Sequence, residues 1–286
     1  MGSKFSKKYT INIYDVDSHY KCKYSSLMNY LWDVVVSQSD SLGETNNGLV
    51  NNCIWVLLKY DLDIIKYPKF RDTITVETDI VGVKKLYGYR RFTIKDSKEN
   101  ILILGLSTAI LIDFEKRKPV KISPKQYEVY GIEKELEENI PLDDFLNIDE
   151  IKYSKDYHVR YSDVDINKHV NNVKYMEIAI DTLPRDIITN YEVSNIKVLF
   201  KKEATDGVTL KVNSDVIVNN EYELTTLHTI FDSNNNKPIT KLEFKWIKLW
   251  IRETINDAIF NSLINSFSNY PSFNINNNIS PFLNYY

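Results

Sequence analysis

The densest collection of reactive side chains lies in YSDVDINKHVNNVKYME, residues 161–177. There Asp163, Asp165, Asn167, His169, Asn171 and Asn172 crowd around the start of an apolar stretch. Carboxylate, carboxamide and imidazole groups held together can take a proton, orient a water and hold a developing oxyanion. Asp165, Asn167 and His169 stand at alternate positions, which in a near-extended segment puts all three on one face. Amides at the start of a following helix would add partial positive charge for an oxyanion. The plain alternative is a polar loop in which an asparagine caps the helix. That reading is preferred for Asp163, Asn171 and Asn172. His19, His158 and His228 have no partners at metal-ligand spacing and read as surface or hydrogen-bonded core histidines. Cys22 and Cys53 form no spaced motif, so they make no zinc site, fit a reducing cytoplasm, and read as small core residues.

The elements that must position this cluster occur twice. The string DVD stands at 15–17 and again at 163–165, each time ahead of a helical pattern. The first helix is expected over Ser25–Leu42, with Leu27, Tyr30, Leu31, Val34, Val35 and Leu42 near one face. Ser25 or Ser26 would cap its start and Gly43 would suit its end. The second is expected from Asn171–Asn172 to before Pro184, with Met176, Ile178, Ala179, Ile180 and Leu183 as its apolar side. Strand patterns follow each helix: 73–83, LYGYRRFTIKD and NILILGLSTAILID in the first half, and 207–218, EYELTTLHTIFD and ITKLEFKWIKLW in the second. In the last, Leu242, Phe244 and Trp246 alternate with Lys241, Glu243 and Lys245, as in a strand with one buried face. Asp72, Ile74 and Val76 correspond to Asp206, Val208 and Leu210.

Each half is therefore a loop, a helix and an antiparallel meander. A helix with a wide apolar face needs a sheet to cover it, and a strongly twisted sheet wrapped round one helix satisfies both. The expected class is α+β, with two tandem hotdog domains at 1–140 and 150–254. The acidic segment 133–150 links them, and an Asn-rich tail occupies 255–286.

DVDINKHVNNVKY closely resembles the D-x-D-x-N-x-H-V-N-N-V-K-Y signature of the acyl-acyl-carrier-protein thioesterases. Residues 51–82, with their I-W-V run and Y-P pair, are similar to that family's first-half stretch, and KVLFKKEATDG to its second acidic segment. The likeness spans roughly residues 8–250. It implies hydrolysis of fatty acyl-acyl-carrier-protein thioesters to free fatty acid. It places the family's functional residues on Asp165, Asn167 and His169, and its catalytic glutamate on Glu203. Many plant members carry cysteine directly after that glutamate; here it is Ala204, which leaves water as the nucleophile. Glu203 or Asp165 would then be the general base. Asn167 and helix-start amides would hold the oxyanion or orient the water, and His169 would position water or carboxylate. Without the likeness, Glu203 reads as an exposed strand residue paired with Lys201 or Lys202.

The first half has Ser18, His19, Tyr20 and Lys21 after its DVD, so it lacks the Asn–His string. By resemblance it supplies most of the acyl cavity, from Leu27, Leu31, Val34, Val35 and Trp55–Leu58. Ordinary core is the competing reading for those residues.

Net charge is −3 and the pI is near 5.9, which argues against nucleic acid. Neither a membrane-spanning apolar run nor a secretory h-region is evident; the start loosely fits a myristoylation pattern with Gly2 and Ser6, but an initiator Met followed by a frayed polar start is the preferred reading. No cofactor or metal is implied. An acidic carrier protein would need a locally basic surface, and three patches qualify. They are Lys84–Lys85 with Arg90–Arg91, Lys116–Arg117–Lys118, and Lys168, Lys174, Lys201 and Lys202. The sheets are expected to pair within one chain as a pseudo-dimer; a further homodimer stays open. The competing functions are a coenzyme A thioesterase and a non-catalytic acyl-binding protein on the same fold.

Overall fold

The computed structural model describes residues 4–42, 52–132, 135–137 and 140–252. Gly43 and the tail from 255 lie outside the described residues. The first half runs β1 (Lys4–Thr10), a 3-10 turn (Ile13–Asp15), α1 (Tyr24–Ser41), β2 (Cys53–Ile64), β3 (Thr73–Lys84), β4 (Tyr87–Lys95), β5 (Ile101–Asp113) and α2 (Pro124–Tyr130). The second repeats this order with β6 (Tyr153–His158), a 3-10 turn (Tyr161–Asp163), α3 (Asn172–Ile180), α4 (Arg185–Asn190), β7 (Tyr191–Phe200), β8 (Thr209–Val218), β9 (Glu223–Asp232) and β10 (Lys237–Lys248). A short α5 (Leu249–Arg252) follows.

All ten strands form one antiparallel sheet, ordered β1-β3-β4-β5-β2-β7-β10-β9-β8-β6. Read outward from the middle, the two halves have the same order, so the tandem repeat is a pseudo-dimer with one continuous sheet. The seam is the β2–β7 pair, in register from Lys59↔Leu199 to Asp63↔Asn195.

The core follows from the two periodicities. Leu27, Leu31 and Val34 of α1 meet Ile74, Val76, Phe92 and Ile94 of the sheet; Met176 and Ala179 of α3 share that core with Val212, Ile230 and Phe244. Each of these side chains larger than alanine stabilises the fold by about 1.5–3 kcal/mol when removed from water. Leu31, 1% exposed, is a position where truncation to Ala would cost about 2–5 kcal/mol. Among the described residues no helix is long and apolar enough to cross a membrane.

Two local expectations are corrected. Ser25 and Ser26 do not cap α1: both are buried inside its first turn, and Lys23 holds the cap position without a side-chain bond. The chain turns there because the Lys23 amide donates to Asp15 O (2.8 Å), tying the helix start to the preceding turn. Glu243 does not face solvent; it is 4% exposed. The linker crosses the outer face of the sheet above it, and the Leu146 amide donates to Glu243 Oε2 (3.1 Å). Asp144 of the linker pairs with Lys59 and, at 3.4 Å, Lys197, while Asp143 pairs with Lys201 (3.2 Å) and Lys241 (2.9 Å). The acidity of this segment thus has a local cause: it covers four lysines that flank the seam.

Candidate active site

The segment holding Asp165, Asn167 and His169 is a closed loop, not an extended run. Asp165 N donates to His169 O (2.9 Å) and Lys168 N to Asp165 O (3.0 Å), beneath a Val164↔Val170 bridge. Lys168 takes the left-handed conformation, φ 64°, to close the turn. The Asp165 carboxylate accepts from the Asn167 amide (2.8 Å), an Asx turn that sets the loop's shape. Asn167 is exposed, and its carboxamide takes no hydrogen bond among the described residues. The helix-start amides expected to bind an oxyanion are occupied: Asn171 Oδ1 accepts from Val173 N (3.0 Å), and Asn171 O from Lys174 N (2.8 Å).

The first half builds the same loop from different residues. Asp17 N donates to Lys21 O (2.9 Å), Asp17 Oδ1 accepts from His19 N (2.8 Å), and Tyr20 is left-handed at φ 60°. Lys21 thus stands where His169 stands, and it pairs with Glu192 (2.9 Å).

Glu203 lies in the loop leaving β7. Its carboxylate meets neither Lys201 nor Lys202: His169 Nε2 lies 3.3 Å from Oε2. Arg117 Nη2 donates to Oε2 at 2.7 Å and to Oε1 at 3.0 Å. The backbone beside it is fixed on both sides. Ala204 N donates to the Tyr175 hydroxyl (3.1 Å), and Val170 N donates to Ala204 O (2.8 Å), lacing the Glu203 segment to the His169 loop. Burial pushes the Tyr175 hydroxyl above its ordinary range, with Glu203 and Asp165 adding to the shift, so it stays a neutral hydroxyl. In the first half the matching backbone bond runs from Cys22 N to Pro68 O (2.7 Å), so Tyr67 stands in place of Glu203; its hydroxyl donates to Val193 O (3.0 Å).

The structure therefore brings Glu203 and His169 into contact, uses Asp165 to close the loop, and leaves Asn167 exposed on it. A carboxylate beside an imidazole can take a proton from water while the imidazole orients the reacting atoms. Cys22 is 1% exposed, and burial pushes its thiol up to about 12; Cys53 is not the core residue expected but partly exposed at the start of β2, its thiol pushed up by burial and Asp113. His228 is a core residue with Ser214 Oγ at 2.7 Å and Thr226 Oγ1 at 2.9 Å. In the basic patch at 84–91, Lys85 is exposed while Lys84, Arg91 and Arg90 are held by internal bonds to Leu136 O (2.6 Å), Asp79 (2.7 Å) and Thr78 (3.1 Å). From sequence Arg117 was a candidate for carrier docking only, and Tyr175 was given no role. Arg117 lies 86 residues from Glu203, and only the sheet order brings them together.

A loop, helix and wrapped sheet built twice, with a glutamate against the loop imidazole in the second copy, define a double-hotdog protein. The chain belongs to the acyl-ACP thioesterase family: its N-terminal domain model matches residues 2–130 and its C-terminal domain model residues 147–248. A palmitoyl-acyl carrier protein thioesterase of Gossypium hirsutum, chloroplastic, is 26% identical over 260 residues, covering 85% of this chain and 59% of that protein. The chain thus spans less than two thirds of the length of that curated relative. A Lactobacillus plantarum protein provisionally described as an oleoyl thioesterase has a crystal structure that superposes with a TM-score of 0.78 at 25% identity, over 87% of this chain and 97% of that one. The 12:0-ACP thioesterase of Umbellularia californica shares the fold, with a TM-score of 0.75 at 22% identity over 86% and 94% of the two chains.

Proposed function

We propose that this chain hydrolyses fatty acyl thioesters of acyl carrier protein, releasing free fatty acid and the carrier thiol. The observation that carries the reading is the contact of Glu203 with His169, made only in the half whose loop bears the Asn–His string. Family membership supports the substrate class.

Glu203 takes a proton from a water as the water oxygen bonds to the thioester carbonyl carbon. Asn167 and His169 orient the water and hold the carbonyl oxygen as it gains charge. The C–S bond then breaks, the carbonyl re-forms, and the departing thiolate recovers the proton. Asp165 acts through the loop it closes. Its counterpart Asp17 makes the same Asx turn in the half without the Asn–His string, which supports a shaping role.

The alkyl chain belongs in the first half. Between α3 and its sheet a polar chain links Thr182, Ser214, His228, Thr226 and Trp246 through bonds of 2.6–2.9 Å, which disfavours an alkyl guest there. The face of α1 turned to its sheet is apolar over Leu27, Leu31 and Val34, and its polar group, Gln38 with Arg90 and Thr78, is confined to the end of the helix. The exposed Lys116, Lys118, Lys168 and Lys202 near the site suit an acidic carrier.

The test is thiol release from matched acyl-carrier and acyl-coenzyme A thioesters across chain lengths. Higher kcat/KM on carrier-bound substrates is expected. Turnover of coenzyme A esters alone would move the substrate to that class, and tight acyl binding without turnover would make the protein a binder.

A further inference from the structure

The ion pair between Arg117 and Glu203 crosses from one half of the molecule to the other. Arg117 sits in the hairpin that follows β5. There Asp113 N donates to Lys118 O (2.9 Å), Arg117 N to Asp113 O (2.9 Å) and Lys116 N to Asp113 Oδ1 (2.7 Å). The hairpin is set by the seam. Cys53 of β2 pairs with Asp113, Phe114 N donates to Asn52 O (2.9 Å), and β2 is the neighbour of β7, whose end releases the chain to Glu203. Arg117 itself is left-handed, φ 53°, a conformation that costs a non-glycine residue energy and persists only where surrounding bonds enforce it. The cation is thus held on a rigid mount that belongs to the first half.

We infer that Arg117 is a positioning residue of the active site, lent by the N-terminal half to aim the Glu203 carboxylate of the C-terminal half. This deepens the thioesterase reading and rests on it. The pair is half exposed, with 46% and 43% of the two side chains accessible, so it contributes little to stability. Its geometry does constrain the carboxylate. Oε2 takes both the shorter Arg117 contact (2.7 Å) and the His169 ring nitrogen (3.3 Å), while Oε1 has only the 3.0 Å contact. Oε1 is the less engaged oxygen, and it is the one that receives the proton from water. Without Arg117, nothing else among the described residues within ion-pair range fixes the rotation of that carboxylate except His169, and small losses of alignment at a reacting centre cost rate steeply.

The experiment compares the wild-type chain with Arg117→Ala, Arg117→Lys and Glu115→Ala. Substrates are an acyl-carrier thioester and a small uncharged acyl thioester, with and without added guanidinium. Arg117→Ala is expected to lower kcat about ten- to hundredfold on both substrates with KM nearly unchanged. Lys should restore part of the rate, guanidinium part of the Ala loss, and Glu115→Ala, an exposed change in the same hairpin, should leave kcat unchanged. Melting temperatures should agree across all four proteins. An unchanged kcat in Arg117→Ala, or a rise in KM confined to the carrier substrate, would overturn the inference; the latter would make Arg117 a docking residue. A fall in kcat that tracks a lowered melting temperature would also overturn it. If the wild-type chain hydrolyses no thioester, the functional reading fails and this inference with it, an outcome distinguished by the wild-type arm alone.

Discussion

Lys21 and His169 occupy the same corner of one loop built twice: each carbonyl accepts, at 2.9 Å, the amide of the aspartate four residues earlier. The scaffold therefore tolerates either side chain, and only one copy is equipped for chemistry. His169→Lys should fold with a melting temperature within a few degrees of wild type, because the first half already carries lysine there. Its hydrolysis rate should drop at least about a hundredfold. A melt and a thiol-release assay on the same preparation check both halves of the statement.

Asp165 shapes the loop by accepting the Asn167 amide at 2.8 Å. Asp165→Asn keeps an oxygen acceptor and Asp165→Ala does not. The Asn variant should retain clearly more activity than the Ala variant, and the Ala variant should lose about 1 kcal/mol of stability. Equal loss of activity in both, with stability intact, would assign the carboxylate itself a chemical role.

Tyr175→Phe removes the buried hydroxyl that accepts from Ala204 N. The orphaned amide should cost about 1–3 kcal/mol, read as a lower denaturant midpoint. Because Glu203 directly precedes Ala204, kcat should fall as well.

The linker makes a separate prediction. Lys59 is 4% exposed and pairs with Asp144 of the linker. Asp144→Ala removes the carboxylate that pairs with this buried ammonium, leaving it the Pro141 carbonyl (3.1 Å) and the Phe145 ring (5.7 Å), and should destabilise by about 3–5 kcal/mol. The double variant with Lys59→Met should recover much of that loss in equilibrium unfolding.

Much of the fold was legible because its signals are local. The repeated DVD, the α1 and α3 patterns and the strand runs 73–83 and 207–218 each announce themselves within a dozen residues. The seam strands β2 and β7 were not assigned. Both faces are covered there, by core on one side and linker on the other, so Lys59, Asp63 and Asn195 are buried and no clean alternation survives. For the same reason Glu243 reads as a surface residue although it is not. Within the site, the motif identified the His169 loop but misjudged its shape, because alternate spacing suggests an extended strand where Lys168 instead turns back. Arg117 was hidden by distance along the chain, and its neighbours Lys116 and Lys118 made it look like part of a solvated basic run.

His228 gives a pH signature independent of catalysis. It is 1% exposed, and burial pushes its ring down to about 3. The unfolded chain takes up this proton near pH 6.5 and the folded chain does not. Stability from this residue is therefore complete above about pH 6.5 and falls by about 1.4 kcal/mol per pH unit as pH drops towards 3. Denaturant midpoints between pH 7 and pH 4.5 should decline accordingly. The His228 ring, followed by NMR, should remain neutral at pH 5; titration near pH 6 would contradict the buried network.

The most direct test of the central claim is single-turnover hydrolysis of one acyl-carrier thioester by wild type, Glu203→Gln and His169→Ala. The account predicts that both variants bind the substrate with near-wild-type affinity and release thiol at least about a hundredfold more slowly. Wild-type rates in either variant would contradict it.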